Sequence, residues 1–449
     1  MAVNDLKGNS TDDLLQDQVY CTADNSVQTV GSTSINGKQS PRNLLVTTIG
    51  DELRLATNFR SKVIGIAIKD RGGILPAGQS PTAAYWYDNS NGNWITSTYY
   101  TNDLPQWVKN FNEKKLVDKY YEEGWNTMYP IDTYVQSTPD AVPYENKGIG
   151  TGFPYDLKRF MGRSFSVIAT IPQGNTFTLE MAKAAIEGEQ LGADEITDLL
   201  AVSLSTPDYI GHAFGPNSIE QEDDFLRLDK DLGAFLTYLD GKVGQGNYTV
   251  FLSADHGVAH VPGFLKDHNI KAGSFDEQAV LNALNQSLKE KFRKDGLAIT
   301  IANLHVVLNN SLIESSKLNR QEVIDWIVNF LPTQPGVSRA AGLDNIMESS
   351  LPEKVKEMFA SGYYPPRGGE IQIILQPGWI EAFETAGTTH GMWYPYDAHI
   401  PLLWYGWGIR QGKLNRETHM TDIAPTLAAI LKIQTPSGTI GQVITEVIK

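Results

Sequence analysis

Residues 199–216, LLAVSLSTPDYIGHAFGP, constrain the fold more than any other stretch of the chain. An apolar run, residues 199–204, breaks off at Ser205, Thr206 and Pro207, and Asp208 and His212 follow beside Gly211 and Gly215. An unbroken apolar run closed by turn residues predicts a parallel strand buried on both faces that runs into a loop. In open α/β sheets, ligands collect beyond the carboxyl ends of such strands. Roughly fifty residues later the pattern repeats: residues 248–252 are apolar and end in Ser253, Ala254, Asp255, His256 and Gly257. Two strand ends thus deliver two Asp and two His, the oxygen and nitrogen donors that zinc accepts.

Residues 218–243 join these strands and read as a long helix, so the unit is a right-handed βαβ. Glu220, Glu222, Asp223 and Asp224 crowd its first turn, where the helix dipole favours acids, and they read as a solvated helix end rather than a metal site. A third histidine, His390, sits in the flexible segment Gly387, Thr388, Thr389, His390, Gly391. Each of these residues alone is weak evidence. Together they make a metal hydrolase the favoured reading, with Asp255 and His256 open to two roles: serving two metals a few ångströms apart, or reaching one metal from two sides. Paired metals suit in-line displacement at phosphorus.

Upstream, residues 1–43 are polar with a short strand near residues 18–21, residues 44–58 have helical periodicity, and residues 63–68 form an apolar strand. That strand ends in Lys69, Asp70, Arg71, Gly72 and Gly73; on the residues alone a solvated basic turn is the favoured reading over an anion clamp. Two aromatic runs flank Asn91-Gly92, a hairpin signal whose rings are expected in the core. Residues 105–115 read as a helix with Asp103 near its cap, and residues 176–191 as another. Residues 128–165 are rich in Pro, Gly and Tyr, and Gly148, Gly150 and Gly152 follow no strand, so no nucleotide loop is assigned. Downstream come helices at residues 276–293, 320–330 and 420–431, strands at 302–308, 370–375 and 400–405, and a final Val-Ile strand.

The fold class expected is α/β, a mostly parallel central sheet with helices on both faces and inserted hairpin and cap segments. One domain spans residues 1–449, with insertions at 79–165 (a cap) and 265–370 (helices and a small sheet). A net charge of −15 argues against a nucleic-acid surface. The single cysteine, Cys21, rules out an internal disulfide and a Cys-based zinc site. No apolar run approaches a membrane span, and no signal peptide is visible.

Ser205-Thr-Pro-Asp-Tyr-Ile-Gly-His212, Ser253-Ala-Asp-His-Gly257 and Gly387-Thr-Thr-His-Gly391 together resemble the alkaline phosphatase superfamily. More closely they resemble the bacterial monomeric, phosphate-irrepressible alkaline phosphatases of the type I phosphodiesterase/nucleotide pyrophosphatase group. Residues 48–57, 69–78 and 398–403 extend the likeness over nearly the whole chain. The resemblance implies a zinc-dependent phosphate monoester hydrolase acting on small phosphate esters, monomeric, exported to the periplasm or secreted, and working through a phospho-Thr intermediate. It implies one zinc held by Asp208, His212 and His390, and a second held by Asp255 and His256 with two further groups. It turns Lys69 and Arg71 into the phosphate-contacting pair, and it makes Asn4 or Asn9 the candidate for an Asn that also contacts phosphate. A phosphodiesterase or nucleotide pyrophosphatase on the same fold is the first alternative.

The family's first apolar strand, ending in a metal-binding Asp and followed by the nucleophilic Thr, has no match before residue 44; Thr11, Thr22 and Thr29 lie in unmatched text. The expectation is that this segment is absent, that one zinc or fewer is retained of the two in the complete enzyme, and, as a second alternative, that the chain is an inactive zinc-binding fragment.

Overall fold

The strand Val63–Ala67, VIGIA, is apolar and buried at every position, as a strand covered on both faces must be. It is the hub of the sheet. Ala83–Asp88 and Leu199–Ser203 pair with it in parallel on either side. Asn93–Ser97 returns antiparallel through the turn at Asn91-Gly92, and Thr29–Val30 adds an antiparallel edge. The computed structural model describes residues 5–7, 17–145, 148–381 and 386–449.

Alternation along these strands sends side chains to two cores. Ile64, Ile66, Tyr85 and Tyr87 pack with Phe177, Met181 and Ile186 of the helix Gln173–Glu189. On the other face, Ile74 of the helix Asp70–Ala77 packs with Ala84, Trp86 and Ile95. This helix stands where a basic turn was expected. It lies so close to the sheet that a Cβ at Gly65 would strike the carbonyl oxygen of Gly73. The fold is α/β with helices on both faces of the sheet. Its five-stranded sheet is mixed, with two parallel and two antiparallel ladders, because the aromatic hairpin joins the sheet directly.

Residues 199–204 run into a helix, Thr206–Phe214, not a loop; Pro207 near its start suits a helix beginning. The βαβ unit does not form: among the described residues Leu199–Ser203 pairs only with Val63–Ala67, and Thr249–Ser253 pairs only with Leu402–Gly406, antiparallel. Both nevertheless lie on one core, through Leu200, Val202 and Val250. The acids opening the helix Ile219–Leu239 are not solvated: Glu220, Asp223 and Asp224 are fully buried. Asp223 accepts from Trp125 Nε1, Tyr134 Oη, the Met128 amide and Arg227 Nε, a donor set that replaces water. Asp103 does not cap the helix Gln106–Glu113; it pairs with Lys109. The chain ends in a short 3-10 turn, Thr445–Val447, rather than a strand.

A second, four-stranded antiparallel sheet orders Ala298–Ala302, His305–Leu308, Ile371–Leu375 and Val337–Gly342. Helices Glu277–Phe292 and Arg320–Phe330 cover it and share its separate core.

Candidate active site

Asp208 and His212 lie one helical turn apart on Thr206–Phe214, so both side chains leave the same face. The helix starts at the carboxyl end of Leu199–Ser203. Alongside, the neighbouring strand Val63–Ala67 leads into Lys69, whose backbone amide donates to Ser205 Oγ at 3.2 Å. The Lys69 ammonium turns to pair with Asp208 Oδ2. The other carboxylate oxygen, Oδ1, is approached by three imidazole nitrogens: His212 Nε2 at 3.2 Å, His390 Nε2 at 3.5 Å and His256 Nε2 at 3.8 Å.

The loop bearing His390 is fixed from several sides. Thr388 donates its amide to the His212 carbonyl and its Oγ1 to the Ala259 carbonyl. Its own carbonyl takes the Nδ1 of His212 at 2.8 Å. Gly387, at φ 76°, passes so close to the His212 backbone that a side chain there would collide with it. Asp397, which sequence reading missed, is 2% exposed and accepts from the Gly391 and Met392 amides at 2.8 and 2.7 Å. Its place in the run Tyr394-Pro-Tyr-Asp397, just ahead of an apolar strand, is the one signal the sequence offered.

These contacts set tautomers. With Nδ1 of His212 on the Thr388 carbonyl and Nδ1 of His256 on the Gly257 carbonyl at 2.7 Å, each Nδ1 carries a hydrogen. Each Nε2 therefore turns either a second proton or a lone pair toward Asp208. Burial pushes the Asp208 carboxyl up, but the His212 hydrogen bond and the Lys69 charge outweigh it and hold the group well below the usual carboxylate range. Burial pulls His212 down, and the hydrogen bond and charge of Asp208 raise it overall. His390 falls to about 4 through burial and the nearby His256, whose ring stacks on it with centroids 3.3 Å apart. His390 is thus neutral at ordinary pH and carries a free lone pair, as metal binding requires.

The donor atoms of Asp208, His212 and His390 all lie within 4.8 Å of one another. One carboxylate and two imidazoles with donor atoms gathered this closely fit a divalent zinc-like cation, and the bond between His212 Nδ1 and the Thr388 carbonyl is the outer support such a ligand normally has. Of the other sequence candidates, His256 stands beside this group, with Nε2 3.8 Å from Asp208 Oδ1. Asp255 stays largely exposed, with Oδ2 3.4 Å from His256 Nε2. Arg71 points elsewhere: its guanidinium donates to Tyr20 Oη at 3.0 Å, and Tyr20 in turn donates to Asp70. Asn4 and Asn9 lie outside the described residues.

The chain belongs to the type I phosphodiesterase / nucleotide pyrophosphatase family, whose model matches residues 16–393. It is 52% identical to a protein of Myroides odoratus named calcium-transporting ATPase, over all of this chain and 83% of that one. It is 49% identical to alkaline phosphatase PafA of Elizabethkingia meningoseptica, again over the whole chain and 83% of the relative. The crystal structure of PafA superposes with a TM-score of 0.93 at 49% identity, covering 96% of this chain and 83% of that one. A variant of PafA, with a Thr changed to Ser and an Asn, a Lys and an Arg changed to Ala, superposes with a TM-score of 0.92 at 48% identity, covering 96% of this chain and 83% of that one.

Proposed function

We propose that this chain is a zinc-dependent phosphate monoester hydrolase, an alkaline phosphatase. The observation that carries this is the convergence of three imidazole nitrogens on one oxygen of Asp208 while Lys69 holds the other. The name of one relative, alkaline phosphatase PafA, points the same way.

In this reading Asp208, His212 and His390 hold one zinc, and His256 with Asp255 contributes to a second. Bound zinc supplies Lewis acidity toward the phosphoryl oxygens and the leaving group. Lys69 offers an ammonium at the mouth of the same cluster, placed to meet a nonbridging oxygen as negative charge grows there. Arg71 is the second phosphate contact, with N–H donors beyond the one it gives to Tyr20. The PafA variant, in which a Lys and an Arg two positions apart are both replaced, supports the pairing of Lys69 with Arg71, which have the same spacing. In the complete enzyme of this reading the nucleophile is a threonine hydroxyl that forms a phospho-Thr intermediate; no threonine among the described residues is assigned to it. Asn4 or Asn9 is the candidate third phosphate contact. A monomeric protein acting on small phosphate esters outside the cytoplasm completes the proposal; among the described residues no helix is long and apolar enough to cross a membrane.

The family model also takes in phosphodiesterases, so the diester reading is tested beside the first. Zinc-loaded protein is assayed on a nitrophenyl phosphate and on its methyl diester. The proposal expects faster turnover of the monoester and its loss in Lys69→Ala. Faster diester turnover transfers the assignment to phosphodiesterase. Zinc binding with no turnover of either ester, even in excess zinc, leaves the chain a zinc-binding protein without phosphatase activity.

A further inference from the structure

Lys69, Asp70 and Arg71 are consecutive, yet their side chains serve two groupings. The Lys69 ammonium pairs with Asp208. Asp70 and Arg71 instead meet the segment that follows the short strand Asp17–Val19. There Tyr20 donates its hydroxyl to Asp70 Oδ1 at 2.7 Å, and Thr22 donates its own to Asp70 Oδ2 at 2.9 Å. Both oxygens of Asp70 are thereby engaged by neutral donors. With the Tyr20 proton committed to Asp70, a lone pair of Oη accepts from Arg71 Nη1 at 3.0 Å. Burial, reinforced by the charge and hydrogen bond of Asp70, raises the Tyr20 hydroxyl well above its ordinary value, so the proton stays in place.

The hydroxyl is thus interposed between the guanidinium and the carboxylate. A direct bidentate pair with Asp70 would occupy the guanidinium fork. Through Tyr20 a single N–H is engaged, and the other donors are left for an anion. Both cations lie near Tyr209. The Lys69 ammonium is 4.5 Å from its ring centroid, and Arg71 is close enough for its charge to oppose the burial that raises the Tyr209 hydroxyl. An arginine loses side-chain freedom when it grips a ligand, and an anchor already in place removes part of that cost. Resting on the phosphate-ester reading above, we propose that Tyr20 is a positioning residue for Arg71: braced by Asp70, it holds one edge of the guanidinium and presets the rest to grip a phosphate dianion.

The test uses the full chain loaded with zinc and titrates inorganic phosphate by calorimetry. Arg71→Ala is expected to weaken phosphate about tenfold or more. Tyr20→Phe, which keeps the ring and removes only the hydroxyl, is expected to weaken it about three- to tenfold. A merely structural role would weaken phosphate in either background. A positioning role acts through Arg71, so Tyr20→Phe added to Arg71→Ala should change the affinity by less than about twofold. Zinc affinity, followed by competitive chelator titration, should be the same in Tyr20→Phe as in the parent. A Tyr20→Phe effect that is absent, that persists in full without Arg71, or that is matched by lost zinc affinity overturns the proposal, as does undiminished phosphate affinity in Arg71→Ala. The phosphate reading is judged separately by Lys69→Ala. If that variant weakens phosphate and Tyr20→Phe does not, the reading stands and the positioning role falls. Absence of phosphate binding to the zinc-loaded parent overturns both.

Discussion

His212 shows how much one residue's setting decides. Its Nδ1 is fixed by the Thr388 carbonyl, so its Nε2 must face Asp208. The four-residue spacing of Asp208 and His212, and the placing of Asp255 and His256 at a second apolar run, made the ligand candidates legible in the sequence. What brings His390 to them was not legible, because it rests on contacts across long separations: Thr388 with His212, and Asp397 with the Gly391 and Met392 amides. Arg71 shows the converse, since its neighbours in sequence do not reveal that Tyr20 engages it. Asp397→Ala should free the His390 loop and weaken zinc binding about 10- to 100-fold in a competitive chelator titration, with the helical circular dichroism unchanged. Unaltered affinity in that variant would remove Asp397 from the positioning of His390. His390→Ala, which deletes a donor outright, should weaken zinc further than Asp397→Ala does.

At the scale of elements, strands and helices were legible wherever an apolar period was strong, as at Val63–Ala67 and the hairpin Ala83–Ser97. The readings failed where tertiary burial reversed a local preference. Four acids at a helix start look solvated in sequence, yet Asp224 is fully buried, taking the Asn175 amide at 2.9 Å and leaving its second oxygen without a partner. Burial, with the adjacent Asp223, raises its pKa from 3.8 to about 8. A carboxyl that holds its proton more tightly in the folded state stabilises the fold fully below its ordinary value and loses that contribution as pH rises through the folded value. Asp224→Asn, which keeps the acceptor for Asn175, should therefore be more stable than the parent by roughly 1 kcal/mol or more at about pH 9, with the gap closing toward about pH 4. Urea denaturation at both pH values checks it, and a gap independent of pH would contradict the burial argument. Gly65 gives a second case. A methyl group there meets the Gly73 carbonyl under the helix Asp70–Ala77, so Gly65→Ala should cost about 3 kcal/mol or more in the same assay.

For the whole molecule, the sheet and the site meet where the strands end, but two apolar strands over one core remain unpaired with each other. Among the described residues, the outer edges of Leu199–Ser203 and Thr249–Ser253 carry no ladder, and Phe251 and Leu403 are exposed. Amides of these two strands should exchange faster with deuterium than those of Val63–Ala67, which is paired on both sides; equal protection would mean the edges are covered in solution. The sequence could not reveal this arrangement, since each strand reads alike whether paired on one edge or two. Zinc binding at the strand ends should also raise the melting temperature, because the three donors are assembled only in the folded chain. The central claim, that Asp208, His212 and His390 are one metal site, is tested most directly by a crystal structure of the zinc-soaked protein with anomalous scattering at the zinc edge. An anomalous peak is expected about 2.0–2.2 Å from an Asp208 carboxylate oxygen and from the Nε2 atoms of His212 and His390, with Lys69 displaced from Asp208. Zinc bound elsewhere, or no peak at this cluster at saturating zinc, would contradict it.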